Sequence, residues 1–191
     1  WWLWCLCRQN YSYFYYHEFI STLKGIHIAV SGTHGKTTTT TFLKDLLIDQ
    51  SIGYIIGDGT GGGNPNYKYL IYEACEYQEH FLMYYPKDII ILNIDYDHND
   101  YFKTLKDYQE SYIKFSKNAM NNVFVHEDYA NLFSSKIYTY GKNDNSDFYA
   151  QNIVLEKEGY SFDFYAFKTY QMHVDTRFFA SFMILEDLWD D

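Results

Sequence analysis

Ile26-His27-Ile28-Ala29-Val30-Ser31-Gly32-Thr33-His34-Gly35-Lys36-Thr37-Thr38 is the stretch that decides the fold. An apolar run of strand length leads into a turn holding two glycines, and the turn leads into a helix-like pattern. A strand, a phosphate-binding loop and a helix N-terminus are written in this order. Gly32 and Gly35 let the backbone turn tightly, so that successive N–H groups face phosphate oxygens, and the helix adds the positive end of its dipole. Lys36 supplies a mobile point charge for terminal phosphates, and the hydroxyl of Thr37 or Thr38 can ligate magnesium. The common phosphate loop has another glycine five residues before Gly35, where Val30 stands here, so this is a shorter Gly-Thr-x-Gly-Lys-Thr variant.

Downstream, the spacing predicts a helix over 36–49 with Phe42, Leu43, Leu46 and Leu47 as its apolar stripe. Thr37 to Thr41 are poor helix formers, tolerable in a first turn whose amides hold a ligand. Gly53–Gly57 reads as a short strand and Asp58–Pro65 as a loop, its glycines either approaching a ligand or forming a flexible connection. Lys68–Ala74 and Ile89–Ile94 are apolar runs of buried-strand length separated by a crossover helix around Glu79–Tyr85, which is parallel-sheet patterning. Thr104–Ala119 carries a helical stripe at Leu105, Tyr108, Tyr112, Phe115 and Ala119, opened by a Thr104-x-x-Asp107 capping box. Val123–Val125 and Ile137–Tyr140 are further short strands. From Phe148, alternation at Ile153 and Leu155, a turn at Glu158-Gly159, and alternation at Tyr160, Phe162 and Phe164 predict an antiparallel hairpin. The expected fold is therefore α/β, a three-layer, mostly parallel sheet of the phosphate-loop type with a flanking antiparallel hairpin.

Composition bounds the chemistry. The 191 residues are 47% hydrophobic, so the chain is globular. A net charge of -10, with Arg8 and Arg177 the only arginines, excludes a basic nucleic-acid surface. A phosphate ligand must then be held locally, by Lys36, amides and a metal. Cys5, Cys7 and Cys75 have no framework spacing, which points to a reducing, cytoplasmic setting. Trp1–Cys7 is apolar but far shorter than the ~20 residues that span a bilayer, so no membrane segment is expected, and the chain reads as part of something longer.

Open parallel sheets bind ligands at the carboxyl ends of their strands. Both later strands end in acids: Glu73-Ala74-Cys75-Glu76 closes one, and Asn93-Ile94-Asp95-Tyr96-Asp97-His98-Asn99-Asp100 closes the other. Carboxylates and an imidazole beside a phosphate loop suit Mg2+, a hard cation that takes few protein ligands and keeps several waters.

Three motifs, Gly32-Thr33-His34-Gly35-Lys36-Thr37-Thr38, then Glu73-Ala74-Cys75-Glu76-Tyr77 with His80-Phe81-Leu82, then Asn93–Phe102, resemble in order and spacing the central ATPase domain of the Mur ligases. The likeness runs from about Tyr16 to Tyr165 and is strongest to the L-alanine-adding members of Gram-positive type, including the Ile56-Gly57-Asp58-Gly59-Thr60-Gly61 loop. The resemblance implies an ATP- and Mg2+-dependent amide ligase of peptidoglycan precursor synthesis, joining L-alanine to UDP-N-acetylmuramate through an acyl phosphate. It implies that Gly32, Thr33, His34, Gly35, Lys36, Thr37, Thr38 and Asn93 bind nucleotide. It also makes Lys36, Glu73 and His98 the catalytic set and Thr37, Glu73 and His98 the metal ligands, with Asn93 and Asp97 orienting His98.

The same resemblance divides the chain into an atypical segment at 1–20, a central ATP-binding domain at 21–170 and a degenerate tail at 171–191. In that tail Ala180–Glu186 stands where relatives carry Gly-x-His-x-x-x-Asn. The domains that would bind the sugar nucleotide and the amino acid are missing from this pattern. A noncatalytic remnant of such a ligase, or another phosphate-loop ATP-binding protein, is the alternative expectation.

Overall fold

The computed structural model describes residues 20–47, 49–57, 60–157 and 159–176. The segment 1–19, Ile48 within the expected helix 36–49, Asp58, Gly59, Glu158 and the tail from 177, with Ala180–Glu186, lie outside the described residues. The chain forms two compact units dividing after Val123.

In the first unit β1 (Ile26–Ser31), β2 (Ile52–Ile55), β3 (Gly61–Gly63), β4 (Tyr69–Glu73) and β5 (Asp88–Ile91) lie in the order β3-β2-β4-β1-β5. β4 pairs with β1 in parallel, Val30 opposite Glu73, and β5 pairs with β1 on its other side, Ser31 opposite Ile91. The carboxyl ends of these three strands therefore emerge together, which sets the phosphate loop beside both acidic segments. Near-continuous apolar side chains, among them Ala29, Val30, Ile71, Ile89 and Ile91, are fully buried, as strands covered on both faces require. The mostly parallel α/β fold read from the sequence is the fold observed.

Helix α1 (Lys36–Leu46) follows the loop and packs on β1, β2 and β4. Its buried residue is Thr40, whereas Leu46, expected in the apolar stripe, is 65% exposed. Thr40 is thus the residue of this helix that is fully enclosed, while Phe42, Leu43 and Leu47 are half-buried.

Two further differences matter for the site. Within the expected glycine loop, Gly61–Gly63 forms β3, antiparallel to β2. A side chain at Gly63, where φ is +117°, would run into the Ile52 carbonyl, so this hairpin is available to glycine alone. The crossover helix around Glu79–Tyr85 is instead a 3-10 segment, Tyr77–Met83, whose Gln78 and Glu79 lie in the left-handed region at φ 52° and 57°. Its Phe81 stacks on Phe115 at 4.5 Å and meets Tyr112 edge-on at 5.3 Å, so a few rings fix the segment where a full helix does not form.

Those partners sit on α2 (Leu105–Ser116), with Tyr108, Tyr112 and Phe115 fully buried. Thr104 caps the helix as predicted: Asp107 N–H donates to Thr104 Oγ1 at 3.1 Å, and that hydroxyl donates to Asp107 Oδ2 at 2.8 Å. Leu105, expected on the apolar face, is exposed in the first turn.

The second unit carries β6 (Asn122–His126) from Phe124 onward, β7 (Tyr138–Gly141), β8 (Phe148–Glu156), β9 (Gly159–Ala166) and β10 (Thr169–Thr176), in that order. β8 and β9 form the expected hairpin, and β10 adds a third antiparallel strand that the alternation pattern had not revealed. Cross-strand rings hold it, Tyr149 stacking on Tyr165 at 4.9 Å. Before β8, the loop at 142–146 is tied to Glu127, whose carboxylate accepts from the N–H groups of Lys142 and Asn143 and from Ser146 Oγ.

On β9 and β10, Asp163 faces His173, with Oδ1 2.7 Å from Nδ1, while Asn152 donates to its other oxygen at 2.7 Å. Hydrogen bonds from Asn152 and His173 hold the Asp163 carboxyl below its ordinary 3.8, and the bond to Asp163, aided by Asp175, raises His173 above 6.5. The lowered acid contributes fully above pH 3.8 and fades as pH falls through its folded value. The raised base contributes fully below pH 6.5 and fades as pH rises through its own. Hydrogen exchange corrected for intrinsic rates is expected to show β10 amides best protected between these limits and less protected at about pH 9; flat protection across the range would refute the pairing's role.

Candidate active site

The phosphate loop is held by the chain leaving β5. A Cβ at Gly32, where φ is +151°, would meet Leu92 Cβ at 2.9 Å and Asn93 N at 3.1 Å, so only glycine lets the loop lie against that exit. Thr33 N–H donates to the Asn93 carbonyl at 3.1 Å, and His34 N–H donates to Asn93 Oδ1 at 2.8 Å. Thr33 Oγ1 donates to the Asp95 carbonyl at 2.8 Å and accepts from Asp95 N–H at 3.0 Å. Its remaining lone pair faces Tyr108 Oη at 2.8 Å, so Tyr108 is the donor there and the hydroxyl's capacity is used up. Burial, with the Glu76 charge nearby, pushes the Tyr108 and Tyr112 phenols well up, so both stay protonated as hydrogen-bond donors.

Gly35, with φ +79°, starts α1, which has neither a side-chain cap nor an acidic residue in its first turn. Such an end leaves N–H groups and a positive dipole for an anion. Lys36 leans back over the loop, donating to the carbonyls of Gly32 and Thr33 at 2.5 and 3.2 Å and to Glu76 Oε1 and Oε2 at 3.1 and 2.9 Å. The Glu76 side chain is 1% exposed, and its Oε1 also lies 3.3 Å from His98 Nε2. Glu76 therefore joins the lysine and the histidine into one cluster.

His98 is itself held tightly. Its backbone is left-handed at φ 53°, its N–H donates to Asp97 Oδ1 at 2.6 Å, and its ring lies 4.7 Å from that of Tyr77. Tyr77 Oη in turn donates to Asp100 Oδ2 at 2.8 Å, which holds that carboxyl below its ordinary range. Three non-glycine residues with positive φ, Gln78, Glu79 and His98, thus flank Glu76, a concentration of backbone strain of the kind functional sites retain.

The predicted residues are distributed as follows. Gly32 to Thr38 and Asn93 form one loop with its brace, and Lys36 and His98 meet on Glu76. Glu73 sits half-buried at the end of β4, where Oε1 accepts from Gly57 N–H at 2.8 Å, so it tethers the glycine loop after β2. Thr37 is exposed in the first turn of α1. Asp97 meets the backbone of His98, while the carboxylate at its imidazole belongs to Glu76.

Glu73 is the motif's expected metal ligand and Glu76 has no expected role; the contact of Glu76 with Lys36 and His98 is a tertiary one without a sequence signature. Among the described residues no three His, Cys, Asp or Glu side chains converge into a cation cage. The capless α1 and the oxygen donors Thr37 and Glu73 nevertheless fit Mg2+ brought by a phosphate, because that ion takes one or two protein ligands and completes its shell with phosphate and water.

A strand, a glycine-turned loop with an invading lysine, and a capless helix define this as a phosphate-loop α/β domain. The Mur ligase middle domain family matches residues 30–185, and the chain belongs to that family. It is 41% identical over 155 residues to a UDP-N-acetylmuramate--L-alanine ligase of Lactiplantibacillus plantarum, a match covering 78% of this chain and 36% of the relative. Among solved structures it is similar to the UDP-N-acetylmuramate-alanine ligase of Thermotoga maritima, at 21% identity and a TM-score of 0.72 over 86% of this chain and 40% of that one. It is also similar to UDP-N-acetylmuramate:L-alanyl-gamma-D-glutamyl-meso-diaminopimelate ligase from Neisseria meningitides, at 20% identity and a TM-score of 0.69 over 87% and 60% of the two chains. The chain thus spans about a third of the length of the curated relative.

Thr33→Val is expected to remove the hydroxyl that Tyr108 Oη and Asp95 N–H share and to destabilise the chain by about 1–3 kcal/mol, with Thr33→Ser near neutral. Urea unfolding of the two variants checks this, and equal stability would show that the loop is not held through that hydroxyl.

Proposed function

We propose that this chain is the nucleotide-binding domain of a cytoplasmic, ATP-dependent amide ligase that joins L-alanine to UDP-N-acetylmuramate in peptidoglycan precursor synthesis. The observation that carries the reading is the loop at 32–38 between β1 and α1, with Lys36 at its mouth and two acidic strand exits beside it. The likeness to the L. plantarum ligase supports the choice of substrates. The sugar nucleotide and amino acid would bind largely through domains other than this one, since the match covers 36% of that relative.

In this reading the first-turn amides of α1 and Lys36 bind the terminal phosphates of ATP, and Asn93 keeps the loop shaped for them. Thr37, Glu73 and His98 would hold Mg2+, which supplies neutralisation of phosphate charge. Phosphoryl transfer to a sugar carboxylate needs placement and charge balance more than covalent help, and the amine of L-alanine then displaces phosphate to form the amide. The net charge of -10 leaves nucleic acid outside the partner set, and no helix among the described residues is long and apolar enough to cross a membrane.

Calorimetric titration with Mg-ATP tests the reading. Binding is expected for the chain as it stands, and Lys36→Ala should weaken it by roughly tenfold or more, the worth of a charge-assisted hydrogen bond. Absence of binding would favour a noncatalytic remnant that keeps the family's fold, and binding insensitive to Lys36 would place the nucleotide elsewhere.

A further inference from the structure

Glu76 lies outside the set of residues assigned above to ATP or Mg2+, yet it is the most deeply buried charge of the site. Its two oxygens meet Lys36 Nζ at 3.1 and 2.9 Å, and Oε1 meets His98 Nε2 at 3.3 Å. An ammonium has three N–H donors, and those of Lys36 are committed to the Gly32 carbonyl, the Thr33 carbonyl and this carboxylate. A phosphate oxygen that reaches Lys36 must draw it away from one of these acceptors.

The charges make the competition specific. Lys36 and Glu76 cancel, so the loop offers a triphosphate the dipole of α1 and little net positive charge. The only arginines, Arg8 and Arg177, lie outside the described residues, and the chain as a whole carries -10. A buried carboxylate beside a phosphate site repels the anion strongly because few waters screen it. Resting on the reading of this loop as an ATP site, we propose that Glu76 is a positioning residue that makes nucleotide binding conditional on a divalent cation. Its charge occupies Lys36 and His98, and a cation arriving with the phosphates supplies the positive charge that Glu76 cancels.

Glu76→Gln keeps an acceptor for Lys36 and removes the negative charge. Affinity for ATP is measured by calorimetry with Mg2+ and with the metal chelated, for the unaltered chain, Glu76→Gln and Glu76→Asp, each checked for folding by circular dichroism. The unaltered chain is expected to bind metal-free ATP at least about tenfold more weakly than Mg-ATP. Glu76→Gln should tighten metal-free binding about tenfold while moving Mg-ATP binding less than about threefold, and Glu76→Asp should keep the metal dependence.

An unaltered chain that binds both forms equally overturns the proposal without recourse to any variant. So does a Glu76→Gln protein whose two affinities fall together, which would make Glu76 a support for the fold only. Failure of every protein to bind ATP in either condition would overturn the nucleotide reading itself, whereas binding with an unchanged metal dependence overturns the role of Glu76 alone.

Discussion

Everything at this site depends on the union of the phosphate loop with the chain leaving β5. Thr33 and His34 are bonded to Asn93 and Asp95 through backbone and side chain alike. A loop built around two glycines has more conformational freedom to lose than any other, and isolated it would not hold a shape complementary to phosphate. Bonding it to a strand exit that is itself buried at Asn93 and Ile94 transfers the rigidity of the sheet to the loop. Tyr108 extends the same brace to α2, so one hydroxyl, that of Thr33, ties three elements together.

Once the loop is fixed, electrostatics decides what the site accepts. The parallel order of β4, β1 and β5 brings two acidic exits to either side of one lysine. A carboxylate as buried as Glu76 is tolerated only when paired and hydrogen-bonded, and Lys36 and His98 together meet that demand. Glu73, three residues earlier, faces the glycine loop through Gly57, where a side chain would clash with its carboxylate at 2.5 Å. Two glutamates of one short motif thus serve different neighbours, because a strand end and the turn after it point their side chains in different directions.

The strand, loop and helix at 26–46 were legible in the sequence because glycine, lysine and apolar periodicity are local signals. The cap at Thr104 and the hairpin after Phe148 were legible for the same reason. What escaped depends on tertiary context. Gly61–Gly63 carries no side-chain pattern and becomes a strand only because β2 offers it an edge. Tyr77–Met83 has the composition of a helix, but Gln78 and Glu79 are turned left-handed where Phe81 docks between Tyr112 and Phe115. The meeting of Glu76 with Lys36 and His98 is likewise a tertiary contact, and motif order carries no sign of it.

The glycine strand β3 also determines how the first sheet meets its surroundings. A sheet margin exposes unpaired amides and carbonyls that invite another chain to add on. Here the margin is three exposed residues long and bare of side chains, so an incoming strand would find little to grip. The same bareness makes β3 cheap to detach, since glycine regains more freedom on release than any other residue. Protection against strand addition at this border therefore comes from brevity and absence of side chains, and fraying there uncovers Ile52 and Tyr54 before it disturbs the strands that carry the phosphate loop.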